Sequence, residues 1–146
     1  SKYAKIVETP EEADVAIIRR DSPHVQQYRY VYEKLFKQGA LNFSIKEKKK
    51  ILNIVDKVPT LLDVGLDRPV VFDELADRCD ALTGHFGCAE EVFVDMIFGE
   101  FKPTGKLPYG LPKSMEAVYK HKVDSPMRKE DVLFERGCGL TYKKID

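Results

Sequence analysis

Short unbroken apolar runs alternate along this chain with segments whose apolar residues recur at helical spacing. Val15-Ala16-Ile17-Ile18 is such a run, as expected of a strand covered on both faces. Residues 45–58 carry Ile51, Leu52, Ile54, Val55 and Val58 on one stripe, which predicts a helix. Ser44 stands before it as an N-cap, with Glu47 three residues on to complete a capping box, and Pro59 ends it. Thr60-Leu61-Leu62-Asp63-Val64 is the next strand, and Asp67-Arg68-Pro69 turns the chain into Val70-Val71-Phe72. A short helix at residues 73–78, a strand at 81–86 and a helix at 89–98 follow, the last closed by Gly99 as a left-handed cap. Residues 3–7 and 106–111 also read as strands, and the tail from residue 133 to 142 as a segment packed along a sheet edge.

This alternation predicts a single α/β domain, a mostly parallel sheet with helices on both faces in a flavodoxin-like α/β sandwich. The 146 residues suffice for one such domain. Residues 21–39 break the pattern as a long polar, aromatic-rich loop holding Tyr28, Tyr30 and Tyr32, and long loops in compact domains are often functional.

Charge narrows the partners. Twenty-four basic residues balance twenty-four acidic ones, so no overall field favours nucleic acid or an anionic membrane. The run Lys46-Glu47-Lys48-Lys49-Lys50 reads as a solvated helix face. No apolar run reaches the ~20 residues that span a bilayer. Three cysteines without a CxxC spacing argue against a disulfide framework, so a cytoplasmic setting is expected. Cys79, His85 and Cys88 lack the fourth ligand of a zinc site, and no metal or other cofactor is expected. Gly99 to Lys106 has the wrong spacing for a phosphate loop and follows a helix instead of preceding one. Arg68 is expected to pair with Asp67 or Asp63. His85 falls near a strand's C-terminal end, where open α/β sheets bind ligands, and is a candidate sugar contact.

Two punctuated segments stand out. Phe98-Gly99-Glu100-Phe101-Lys102-Pro103-Thr104-Gly105-Lys106-Leu107-Pro108 precedes Leu133-Phe134-Glu135-Arg136-Gly137-Cys138-Gly139-Leu140-Thr141-Tyr142. In this order they resemble the end of the C-terminal α/β sandwich domain of family 3 glycoside hydrolases, the β-glucosidase-type enzymes. Pro10 to Ala16, Leu41-Asn42-Phe43-Ser44, Asp67-Arg68-Pro69-Val70-Val71 and Asp95 to Gly99 resemble further elements of that domain, in register.

The resemblance implies that the chain is a truncated part of a hydrolase of β-glucosidase or β-xylosidase type. In this family the nucleophilic Asp belongs to an N-terminal (β/α)8 barrel, and the present domain completes the rim of its active site. Retaining hydrolysis needs two carboxyl groups about 5–5.5 Å apart, so the chain alone is expected to be inactive. Many members carry the acid/base Glu in a turn before the helix corresponding to residues 89–98, where this chain has Ala89. Others carry it in the loop after the first strand, which makes Glu33 the candidate acid/base and Asp21 a candidate substrate contact. Expected partners are the barrel and a carbohydrate. A surface freed of the barrel is expected to expose Tyr30, Val31, Leu35 and Phe36 and to favour a homodimer. Two alternatives stay open: a carbohydrate-binding or scaffold domain that kept the fold and lost the acid, and a free-standing flavodoxin-like binding domain.

Overall fold

The computed structural model describes residues 2–25 and 29–142. Its main sheet has three parallel strands in the order β1 (Ala16–Arg20), β2 (Thr60–Gly65), β3 (Ala81–His85). Ile18 lies opposite Leu62 and Arg19 opposite Asp63. Asp63 in turn lies opposite Thr83, and Gly65 opposite His85. Side chains alternate along a strand, so this register gives the sheet two unlike faces. One carries Ile18, Leu62 and Val64, all buried; the other carries Ile17, Arg19, Asp63, Thr83 and His85.

Helices cover the two faces differently. Helices α1 (Ile45–Val55) and α2 (Leu75–Arg78) place Ile51 and Leu75 into one core with Ile18, Leu62 and Val64. Full burial of a side chain such as Ile51 is worth about 1.5–3 kcal/mol. Helix α3 (Glu90–Ile97) serves the polar face, with the Phe93 ring 5.0 Å from the Arg19 guanidinium. The fold is thus α/β with helices on both faces.

Local chemistry starts and stops these elements as the sequence implies. The Ser44 hydroxyl accepts from the Glu47 amide at 3.2 Å, and Glu47 accepts from the Ser44 amide at 3.1 Å. Gly99 closes α3 at φ 84°, a left-handed conformation that glycine adopts without strain.

A second, two-stranded antiparallel sheet pairs β4 (Leu111–Pro112) with β5 (Val132–Phe134), and α4 (Met115–Lys120) lies between them in sequence. Here the two punctuated segments become one unit. The Leu107 amide donates to the Cys138 carbonyl at 2.9 Å, and the Gly137 amide donates to the Leu107 carbonyl at 2.8 Å. A Cβ on Gly139 would lie 2.3 Å from the Gly105 carbonyl oxygen, so only glycine admits this approach.

Several local expectations are corrected. Residues 3–7 form no strand; instead Tyr3 stacks on Phe98, with centroids 4.8 Å apart, and donates to Asp95 at 2.6 Å. Of residues 106–111 only Leu111 enters a strand, because the stretch before it is occupied by the contacts with the tail. That tail joins β4 and not the edge of the main sheet. The run at 15–18 is covered on one face only, and Val15 and Ile17 are exposed. Helix α4 lacks the apolar stripe that marks longer helices; its start is set by Ser114, whose hydroxyl accepts from the Ala117 amide at 3.1 Å.

Candidate functional site

Parallel strands all end on the same side, and loops leaving that side frame clefts there. After β1 come Asp21, Ser22, Pro23 and His24; after β3 come Phe86, Gly87 and Cys88, leading into α3. Between these loops lies an open cleft of about 680 Å³, bounded also by Arg20, Glu90 and Glu47. A smaller depression of about 190 Å³ lies beside it, between Lys37, Asp67 and Phe86. Asp21 and His85 line both.

The floor is held by a buried carboxylate. Asp63 is fully buried on the polar face of β2. Its Oδ1 accepts from the Thr83 hydroxyl at 2.8 Å. Its Oδ2 lies 2.9 Å from Arg19 Nε, a contact of charge more than an aligned hydrogen bond, and 3.5 Å from His85 Nε2. Arg19 also donates to the Cys88 carbonyl at 2.6 Å, so Asp63 is tied through Arg19 to the turn that opens α3. The Gly87 amide donates to His85 Nδ1 at 3.2 Å. With Nδ1 accepting, the neutral ring carries its proton on Nε2, facing Asp63. Nδ1 of His85 is therefore engaged inside the fold and Nε2 faces Asp63, while the residue lines the cleft.

The depression is built from a second cluster. The Ser22 hydroxyl, almost fully buried, donates to Asp67 Oδ1 at 2.6 Å. Lys37 donates to Ser22 Oγ at 3.0 Å and pairs with Asp67 Oδ2 at 3.1 Å. Burial by itself raises the Asp67 carboxyl, but the Ser22 hydroxyl and the Lys37 ammonium outweigh it and hold the group below its ordinary value. Across from this pair stands the exposed Phe86 ring, braced edge-on by Tyr109 at 6.3 Å. Tyr109 is itself anchored by its hydroxyl donating to the Leu66 carbonyl.

The sequence-based candidates fall in different places. Asp21 and His85 meet at the cleft. Glu33 does not line it: its Oε2 accepts from the amides of Arg29 and Tyr30 at 2.5 and 3.0 Å, capping the 3-10 turn Val31–Leu35. Tyr30 and Tyr32 stack at 5.6 Å, whereas Tyr28 and the Leu35 side chain lie outside the described residues. Tyr30, Val31 and Phe36 are exposed. Arg68 pairs with neither Asp67 nor Asp63, which are taken by Lys37 and Arg19; it donates to the Gly39 carbonyl at 2.8 Å. Among the described residues no three His, Cys, Asp or Glu side chains come together to hold a metal. Nor is any described helix long and apolar enough to cross a membrane. Sequence reasoning missed Lys37, Asp67 and Phe86 as a group. An exposed aromatic beside Gly87 was the one local signal.

The family model described as Glycosyl hydrolase family 3 C-terminal domain matches residues 1–142. The chain belongs to this family. Its relatives include Beta-glucosidase C of Emericella nidulans, 38% identical over 138 residues. Probable beta-glucosidase C of Aspergillus oryzae is 36% identical over 137 residues. The Periplasmic beta-glucosidase/beta-xylosidase of Dickeya chrysanthemi is 33% identical over 140 residues. Each alignment takes in 94% of the chain but only 21–22% of the relative. The family 3 domain seen here thus spans about a fifth of the length of the curated relatives it matches.

Proposed function

We propose that this family 3 domain forms one wall of the active site of a β-glucosidase- or β-xylosidase-like enzyme and is inactive by itself. The observation that carries the reading is the family match over residues 1–142, together with relatives named as β-glucosidases of which the alignment takes in only 21–22%. The cleft at the C-terminal edge of the sheet supports it, since substrate held there would meet a catalytic barrel supplied by the rest of the parent protein. Asp21 and His85 contact sugar in this reading. Glu33 is the acid/base candidate, and acting so requires its carboxylate to leave the two amides it caps. The exposed Tyr30, Val31 and Phe36 supply the surface that docks on the barrel, and in its absence on a second copy.

The test compares hydrolysis of aryl β-glycosides by the full-length parent, the parent with Glu33→Gln, and this chain. An active parent with an inert chain is the expected result. A loss of about a hundredfold or more in the variant assigns Glu33 the acid role. A second reading is favoured by Ala89 at the N-cap of α3 and by the capping engagement of Glu33: a binding or scaffold domain without the acid. A parent inert on a broad panel of glycosides selects it.

A further inference from the structure

The loop that carries Glu33 leaves β1 at Asp21 and returns at Gly39, and one turn holds both of its ends. That turn is Asp67-Arg68, just beyond the end of β2. On the outgoing side the Asp67 carboxylate accepts from the Ser22 hydroxyl at 2.6 Å, and Ser22 is almost fully buried. On the returning side it pairs with the Lys37 ammonium, 3.2 Å from Oδ1 and 3.1 Å from Oδ2. Lys37 also donates to Ser22 Oγ at 3.0 Å, which links the two ends to each other. Three oxygens thus lie within 3.2 Å of Lys37 Nζ, enough to occupy its three N–H groups. Arg68 adds a bond to the Gly39 carbonyl at 2.8 Å. The ends also meet as an antiparallel bridge, in which the Val25 amide donates to the Gln38 carbonyl at 2.8 Å. The 3-10 turn that holds Glu33 ends at Leu35, two residues before Lys37.

The geometry points to Asp67 and Lys37 as positioning residues, a clasp that closes the base of this loop and sets where Glu33 is carried. The inference rests on the reading that the loop brings the acid/base group to a glycosidic bond. Neither residue touches substrate in it; both act through Glu33. The physical reason lies in what proton transfer demands. The acid must come within hydrogen-bond reach of the leaving oxygen as the C–O bond breaks. A misplacement of about 1 Å can cost about a hundredfold in rate. Joining the ends of a loop beforehand removes closure entropy that would otherwise be lost at each turnover. With its oxygens and N–H groups turned on each other and on Ser22, the Asp67–Lys37 pair is built to hold the chain and not a ligand.

The experiment assays the full-length parent and its Lys37→Met, Lys37→Arg, Asp67→Asn and Glu33→Gln variants on two aryl β-glycosides. Dinitrophenolate departs without a proton, whereas the oxygen of a phenyl leaving group needs one from the acid. Lys37→Met and Asp67→Asn should lower kcat/KM on the phenyl glycoside by about ten- to a hundredfold, and on the dinitrophenyl glycoside by less than about threefold. Lys37→Arg, which keeps the charge, should recover part of the loss. A general weakening of the fold would depress both substrates alike, and that result overturns the inference. So would an unchanged rate on the phenyl glycoside. In the isolated chain, Lys37→Met should speed hydrogen exchange at the Val25 amide by about tenfold while the β2 amides keep their protection. Unchanged exchange at Val25 overturns the clasp whatever the parent does. The acid reading is decided by a different variant: if Glu33→Gln lacks the substrate selectivity, that assignment falls, while Lys37→Met still decides the clasp.

Discussion

Removing the buried carboxylate of Asp63 tests the central physical claim about the cleft floor. Asp63→Ala strands the Arg19 guanidinium, whose side chain is only 23% exposed, and leaves the Thr83 hydroxyl without its acceptor. Breaking a buried ion pair from one side costs about 3–5 kcal/mol. Partial exposure of Arg19 lets water recover some of this, so about 3 kcal/mol is expected. Urea unfolding of the purified chain, followed by far-ultraviolet circular dichroism, measures it. With a slope of about 1.5–2 kcal/mol/M, the midpoint falls by about 1.5–2 M. Asp63→Asn keeps an oxygen for Thr83 but no charge for Arg19, and should fall between wild type and Asp63→Ala. Adding Arg19→Met to Asp63→Ala removes the stranded charge, so the double variant should lose less than the sum of the singles. A midpoint change below about 0.5 M, or strict additivity, would refute the claim that this pair acts as one buried unit.

Three further outcomes are expected. Ser44→Ala removes the acceptor at the start of α1 and should cost about 1 kcal/mol in thermal or urea unfolding. Gly139→Ala puts a methyl group against the Gly105 carbonyl and should release the tail, seen as faster limited proteolysis at residues 99–106 and 135–142 with the main sheet intact. The folded-state value of Asp67 lies below its ordinary 3.8, so its contribution is present above that value and disappears as pH falls through the lower folded one. Lys37→Met should therefore lessen the loss of stability on acidification below about pH 4, read from urea midpoints against pH.

What the sequence determined by itself is what neighbours in the chain can decide. The Ser44–Glu47 box, the left-handed Gly99 cap and the apolar runs of β1 and β2 act within a few residues, so their chemistry is visible locally. The punctuation at residues 98–108 and 133–142 was equally legible, although that Gly139 must pass beside Gly105 was not. Where pairing requires distant partners, reading along the chain failed. Residues 106–110 read as a strand but are claimed by the tail, and Arg68 lost both expected carboxylates to Arg19 and Lys37. Glu33, the acid/base candidate of its loop, caps local amides, while the cleft and its neighbour draw on residues from Arg19 to Glu90. Only the parallel register of three strands brings Arg19, Asp63, Thr83 and His85 onto one face. A buried charge must be satisfied by whatever the fold places beside it, and that choice is made in space, not along the sequence.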